Sequence, residues 1–245
     1  MLKIEEKYRS SYTGEDIITN RVCEHGVWNA TTESVSNAVI NNQISSQAVV
    51  FGNGLSRLDF DANLIFNHKG GLLGSRKLQT YGCNAMFREY AVDFLIVPDR
   101  QLLHEITTTA YENLNIVYTR ILNTLEFPGR FYLIPFDPYF DAGSTAAYLA
   151  AFDGHKKVFL LGFDGQDTPN FNNNIYSNTN GYDCRTVDIN VDSWNANKVL
   201  LFSTYTDVDF IYVSTTGRMP LPVAWQAYSN VRQVNYREFI LEADL

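Results

Sequence analysis

The sequence predicts an α/β fold, a mostly parallel sheet with helices on both of its faces. Three observations carry this. Short and almost wholly apolar runs, "SQAVVF" (46–51), "VDFLIV" (92–97) and "KKVFLLGF" (156–163), read as strands buried on both sides. Segments with helical spacing, "RQLLHEITTTAYENL" (100–114), "GSTAAYLAAFDG" (143–154) and "DSWNANKVLLFSTY" (192–205), lie between or after them. Strands that alternate with helices imply crossover connections and a parallel sheet. With 245 residues, 45% of them apolar and 19% charged, the chain is long enough for a large core and is neither disordered nor fibrous.

Residues 1–46 are mostly polar, and "ATTESVSNAVINN" (30–42) reads as one short helix with Val35, Ala38 and Val39 on a face. The texture changes at the 46–51 strand. "KLQTYGC" (77–83) is a second strand, 92–97 a third that stops at Pro98, and 100–114 a helix through Leu102, Leu103, Ile106 and Ala110. "RFYLIPF" (130–136) is a strand. The 143–154 helix has Ser144 or Thr145 near its start and Gly154 after its end. "DGQDTPNFNNNIYSNTNGYDCR" (164–185) is a long polar loop of the kind that carries function or disorder. "DFIYVST" (209–215) is a strand, and "VRQVNYREFIL" (231–241) fits either a strand or a helix. No internal repeat or linker is visible.

The net charge of −8 and the lack of any Lys/Arg cluster argue against a duplex-binding face, though backbone N–H groups can hold a small anion without net positive charge. Cys23, Cys83 and Cys184 are odd in number, far apart and without metal spacing, which fits a reducing compartment. The start has no apolar signal core, and no stretch approaches about 18 apolar residues, so no membrane span is expected. The expected location is the cytoplasm or an assembled particle.

Ligands in parallel sheets sit at the carboxyl ends of the strands. Several polar clusters fall there. Gly52-Asn53-Gly54-Leu55-Ser56 follows a buried strand; it is either a tight turn or a loop that receives a phosphate, its glycines giving close approach and φ > 0. It lacks the lysine of a P-loop. Asn84 in Gly82-Cys83-Asn84-Ala85 can meet a ribose or phosphate, or satisfy its own loop. Asp141-Ala142-Gly143-Ser144-Thr145 can point helix N–H groups at an anion, or Ser144 can be a cap. Asp164 ends the 156–163 strand. Of the four histidines none has metal spacing; His155 reads as solvent-exposed in a turn, and His68 is the one that could act as a base near the Gly-Asn-Gly turn. Tyr176 and Tyr182 in the long loop are candidate acid or stacking groups, or packing devices.

Taken in order, "VVFGNGLSRLDF", "YGCNAMF", "GSTAAYLAAFDGHKKVFLLGFDG" and "NANKVLLFSTYTDVDFIYVSTTGRMPL" resemble the Rossmann-like core of bacterial sialyltransferases of the lipooligosaccharide type and of related pterin-pyrophosphokinase-like domains. The resemblance covers about residues 46–222, and the order and spacing of the motifs carry it. "GCNAMFREYAVDFLIVPD" is also similar to uncharacterised proteins of tailed phages of marine bacteria. The resemblance implies an N-terminal extension over 1–45, a Rossmann-like nucleotide-binding domain over 46–222, and a tail over 223–245 packed on the core. It implies a glycosyltransferase that takes a nucleotide-sugar donor and needs no covalent cofactor. Gly52, Asn53, Gly54, Ser56, Asn84, Ser144 and Thr145 would bind the nucleotide. Asp164 would form the floor of the site, and Tyr176 and Tyr182 the lid. The chain departs from the family in two ways: Leu55 replaces the proline after Gly-Asn-Gly, and no histidine follows His155 to serve as the lid's base. A base is still required, which leaves Asp164 or His68, or else Asp167 or Asp183 in the lid. The alternatives are a catalytically inactive phage structural or binding protein, whose partners would include other particle components, and a pterin-type pyrophosphokinase using Mg²⁺ on acids such as Asp99 and Asp164. A phage-encoded protein would act in the host cytoplasm or the virion.

Overall fold

A computed structural model describes residues 1–9, 15–36, 45–67, 78–165, 173–182, 190–214 and 219–245. Eleven strands form one sheet in the order β11-β10-β9-β4-β5-β6-β7-β8-β1-β2-β3. The chain opens with an antiparallel meander of β1 (Leu2–Arg9), β2 (Glu15–Glu24) and β3 (Val27–Ser36). Then come β4 (Gln47–Phe51), α1 (Asn63–Asn67), β5 (Gln79–Cys83), β6 (Phe94–Ile96), α2 (Arg100–Thr109), β7 (Ile116–Thr119) and β8 (Tyr132–Leu133). α3 (Ala142–Phe152) carries the chain back to β9 (Lys157–Leu161), and α4 (Val191–Thr204), β10 (Asp209–Val213), β11 (Val231–Val234) and α5 (Tyr236–Ala243) complete it.

β4 to β11 are all parallel to their neighbours, and β8 is parallel to β1. The sheet is therefore mostly parallel, as the alternating pattern predicts. Its strands are apolar on both sides because both sides are covered. In β4, Ala48 and Val50 face one core layer with Leu149, Leu201 and Phe202 of α3 and α4. Val49 and Phe51 face the other, with Ile65 of α1, Leu103 and Ile106 of α2, and Phe239 of α5. β4 pairs with β5 on one side and β9 on the other. The strand order reverses between β4 and β9, so the carboxyl ends of β4, β5 and β9 lie where parallel folds place their ligand crevice.

Three expectations are corrected. Residues 30–36 belong to β3, not to a helix, and 37–42 lie outside the described residues. The segment is rich in β-branched residues and pairs along its length with β2 (Val27↔Glu24 to Ser36↔Glu15), and this long-range pairing outweighs the weak helical spacing. Second, the helix expected over 100–114 ends at Thr109. A left-handed residue, Ala110 at φ 57°, stops α2, and Ile116–Thr119 beyond it pairs with β6 as β7. Third, His155 is fully buried rather than exposed. Its Nδ1 donates to Ser45 O (2.6 Å), and its Nε2 lies 3.0 Å from the Tyr81 hydroxyl, which donates to Asp153 Oδ2 (2.7 Å). The tail, whose sequence fits either strand or helix, is both: β11, then α5 behind a capping box of Asn235 and Glu238.

Candidate functional site

The Gly-Asn-Gly turn is a junction between the ends of β4 and β9. Gly52 N–H donates to Leu161 O (2.8 Å) and Gly54 N–H to Gly162 O (2.9 Å). A Cβ on Gly52 would lie 2.3 Å from Gly162 O, and one on Gly54 would lie 2.5 Å from Asp164 Cγ. The glycines are required by this close approach. Neither adopts the positive φ expected of a phosphate loop: Gly54 has φ −69°, and the left-handed residue of the junction is Gly162 at φ +73°. Three further donors of the turn are taken by protein groups. Leu55 N–H donates to Asn173 Oδ1 (2.9 Å), Ser56 N–H to Asp164 Oδ2 (2.7 Å), and the Ser56 hydroxyl to Asp164 Oδ1. Asp164 thus sits where an anion would sit, at the start of the short 3₁₀ turn Leu55–Asp59.

Arg57 anchors this half of the crevice. Its side chain is buried, and it donates to Gly52 O (3.2 Å), Glu89 Oε2 (3.2 Å) and the Tyr176 hydroxyl (2.9 Å). Tyr176 and Tyr182, both buried, fasten residues 173–182 over the end of β4, and Ile175 N–H donates to Asn53 O (2.8 Å). Arg88 adds bonds to Thr179 Oγ1 (2.8 Å) and Asn180 O (2.9 Å). The Tyr182 hydroxyl accepts from Asn53 Nδ2 (3.2 Å), from the Asn84 amide and from Ala85 N–H; burial pushes its pKa up despite these donors.

The other half lies at the ends of β5 and α3. Asn84 has φ +50°, a conformation asparagine tolerates, and its carboxamide Oδ1 is buried without a partner among the described residues. Cys83 beside it is buried, and burial pushes its thiol up to about 12, so it is inert at neutral pH. Asp141 caps α3: Ser144 N–H donates to Oδ1 (2.9 Å), and the Ser144 hydroxyl, Asn197 Nδ2 (3.2 Å) and Lys198 Nζ (3.1 Å) meet Oδ2. Lys198 is fully buried, its ammonium 3.6 Å from the centre of the Trp194 ring. Burial lowers the Lys198 pKa to about 8 against the pull of Asp141. Burial would raise the Asp141 pKa, but the Lys198 ammonium and the Ser144 hydrogen bonds hold it below the usual carboxylate range. Thr145 bonds back to Asp141 O (2.9 Å).

The structure thus gathers Gly52, Asn53, Gly54, Ser56, Asp164, Tyr176 and Tyr182 on one side of the crevice, and Asn84, Ser144 and Thr145 on the other. Ser144 and Thr145 are bonded within the α3 cap. His68, Asp167 and Asp183 lie outside the described residues. Asp99 caps α2, accepting from Gln101 and Leu102 N–H, while Asp164 is bonded by Ser56. Among the described residues no three His, Cys, Asp or Glu side chains converge as a metal site, and no helix is long and apolar enough to cross a membrane. A pocket of about 480 Å³ opens at the ends of β7 and β8 between Tyr8, Arg120, Ile134, Phe136, Asp137 and Tyr139. Its Arg120 donates to Asp137 Oδ2 (3.1 Å) and Phe140 O (2.7 Å), one residue from Asp141.

Sequence reasoning missed Arg57 and the Asp141–Lys198 pair. Lys198 had a signal: with Trp194, Leu201 and Phe202 it occupies the buried stripe of α4, where a lysine needs a partner.

No family model matches the chain, and no curated protein matches it. Among solved structures, a variant of the sialyltransferase CST-II in complex with CMP is similar over 81% of this chain and 98% of that one, at 12% identity and a TM-score of 0.44. That likeness is one of outline and assigns no role to any residue of the crevice.

Proposed function

We propose that the crevice between the ends of β4, β5 and β9 binds a nucleotide or nucleotide-sugar, and that the chain transfers the glycosyl group to an acceptor hydroxyl. The observation that carries this is Asn84. A buried carbonyl oxygen without a donor is unfavourable by about 1–3 kcal/mol, and here it sits at the end of β5, one strand from the reversal of strand order between β4 and β9. A ribose hydroxyl or a base amino group would supply the missing donor. The base is Asp141 rather than Asp164. Both carboxylates are hydrogen-bonded on both oxygens, Asp164 by Ser56 and Asp141 by Ser144, Asn197 and Lys198. We choose Asp141 because its side chain is 32% exposed, Lys198 keeps it ionised, and it adjoins the pocket at the ends of β7 and β8. In the transfer, the acceptor oxygen bonds to the anomeric carbon as the bond from that carbon to the donor phosphate breaks. The phosphate leaves with the electron pair, and the acceptor proton passes to Asp141. The acceptor would dock in the pocket of Phe136 and Tyr139, whose loop runs directly into Asp141.

A second reading, a catalytically inactive binding protein such as a phage particle component, is favoured by one observation. The N–H groups of Gly54, Leu55 and Ser56 in the β4 turn are already satisfied by Gly162, Asn173 and Asp164, and the Tyr182 hydroxyl already bonds Asn53. Thermal shift with CMP, UDP, GDP, ADP and their sugars, with and without Mg²⁺, tests both. A ligand at 100 times its Kd should add about 2.7 kcal/mol of stability. Binding with hydrolysis or transfer supports the first reading, and binding without turnover the second. No shift with any nucleotide removes the first reading and leaves the second in its structural form.

A further inference from the structure

The two edges of the sheet are built differently. At one edge, β11 has four residues, and side chains guard it. Gln233 Nε2 donates to Ser214 O (3.3 Å) and Met219 O (2.8 Å), its Oε1 accepts from Leu221 N–H (2.9 Å), and Arg232 is clamped between Asp209 and Glu242. At the other edge, β3 runs for ten residues in unbroken register with β2, without proline, lysine or bulge, and no described residue pairs with its outer side. Val27 (61%), Trp28 (50%) and Val35 (42%) are exposed along it. A long, regular, apolar edge strand is a template for another strand.

We propose that the chain is a two-fold homodimer formed by antiparallel pairing of β3 with β3 of a second copy. The sequence of the strand argues for a second copy over an unrelated partner, because β3 is self-complementary. In a symmetric antiparallel pair, opposed residues share a face, so their numbers sum to an even value. With Thr31 on the axis, Val27 opposes Val35 and Asn29 opposes Glu33, in both halves. A shift to Thr32 on the axis sets Val35 against Asn29 and loses the valine pair. A shift to Glu33 on the axis opposes the two carboxylates. The Thr31 register pairs the two valines and gives each carboxylate an amide, with Trp28 opposite Ser34. The 11-stranded sheet then continues from one copy into the next.

Sedimentation equilibrium of the full chain should find a dimer; a monomer at the highest soluble concentration overturns the proposal. Asn29→Glu sets two carboxylates opposite Glu33 and should raise the dimer Kd by roughly tenfold, and Asn29→Lys should lower it by a similar factor. Equal effects of the two substitutions would contradict the register. Thr31→Cys should give a disulfide-linked dimer on mild oxidation, above the wild-type background from Cys23. Asn29→Cys should not, since its own mate would lie about 13 Å away along the strands. A dimer in which Asn29→Cys links and Thr31→Cys does not would refute pairing about Thr31.

Discussion

The two halves of the strand-end crevice are made of similar residues and put to different ends. In the β4–β9 half, most turn donors are satisfied inside the protein. Gly54 meets Gly162, Leu55 meets Asn173, Ser56 meets Asp164, and Arg57 ties the whole to Tyr176. In the β5–α3 half, Asn84 holds a buried oxygen with no partner among the described residues, and Asp141 keeps a buried ammonium beside it while remaining open to the crevice. The first half is a structural joint, saturated and closed. The second holds unused hydrogen-bonding capacity and a charged pair in a low-dielectric setting, which is where ligands and chemistry are expected. A glycine-rich turn after a strand is therefore not by itself a ligand site; what its N–H groups face decides.

The largest test of this difference is to substitute the two carboxylates. Asp141→Asn should lower turnover about 10²–10⁴-fold. Asp164→Asn should leave turnover per folded molecule within a few-fold and instead reduce stability by about 1.5–3 kcal/mol, through loss of charge-assisted bonds to Ser56. Steady-state kinetics with urea denaturation of both variants separates them; a turnover loss in Asp164→Asn alone would reverse the roles.

Next in size is the glycine pair. Gly54→Ala puts a Cβ within 2.5 Å of Asp164 Cγ and should lower stability by about 3 kcal/mol. Gly143→Ala, in α3 on the other side, meets nothing closer than 3.4 Å and should be neutral or stabilise by up to about 1 kcal/mol. Urea midpoints report both, and a tolerated Gly54→Ala would mean that the joint is not tight.

A smaller effect comes from Lys198. Its folded pKa, about 8, lies below the unfolded value of 10.5. Between those values the unfolded chain binds more protons, so stability should rise with pH from about 8 to 10.5. In Lys198→Met that rise should disappear. Chemical denaturation across this range reads the slope, and a slope that survives the substitution would assign it to another group.

Much of this arrangement could be read from the chain. β4, β9 and β10 announce themselves as apolar runs, but the caps do not: α3 is capped by Asp141 where the sequence points to Ser144 or Thr145, and Asp99, read as a possible metal ligand, caps α2. β3 could not be read so, because its stability comes from pairing with β2 and not from its own spacing. The candidate residues cluster at one sheet edge as the parallel fold demands, yet their division into joint and open site was hidden. Ser56 and Asp164 are 108 residues apart, and nothing in either segment says that one carboxylate fills the other's turn. Likewise Lys198 looks like a surface lysine until the stripe of α4 is set against the cap of α3.

The most direct test of the two-halves account is calorimetric titration of the nucleotide panel into the wild type, Asn84→Ala and Ser56→Ala. The account predicts a Kd at least about tenfold weaker in Asn84→Ala, as expected for loss of a buried hydrogen bond, and a Kd within twofold of wild type in Ser56→Ala. The opposite pattern, with Ser56→Ala abolishing binding and Asn84→Ala leaving it intact, would show that the Gly-Asn-Gly joint opens to receive the phosphate and that the saturated half is the binding site.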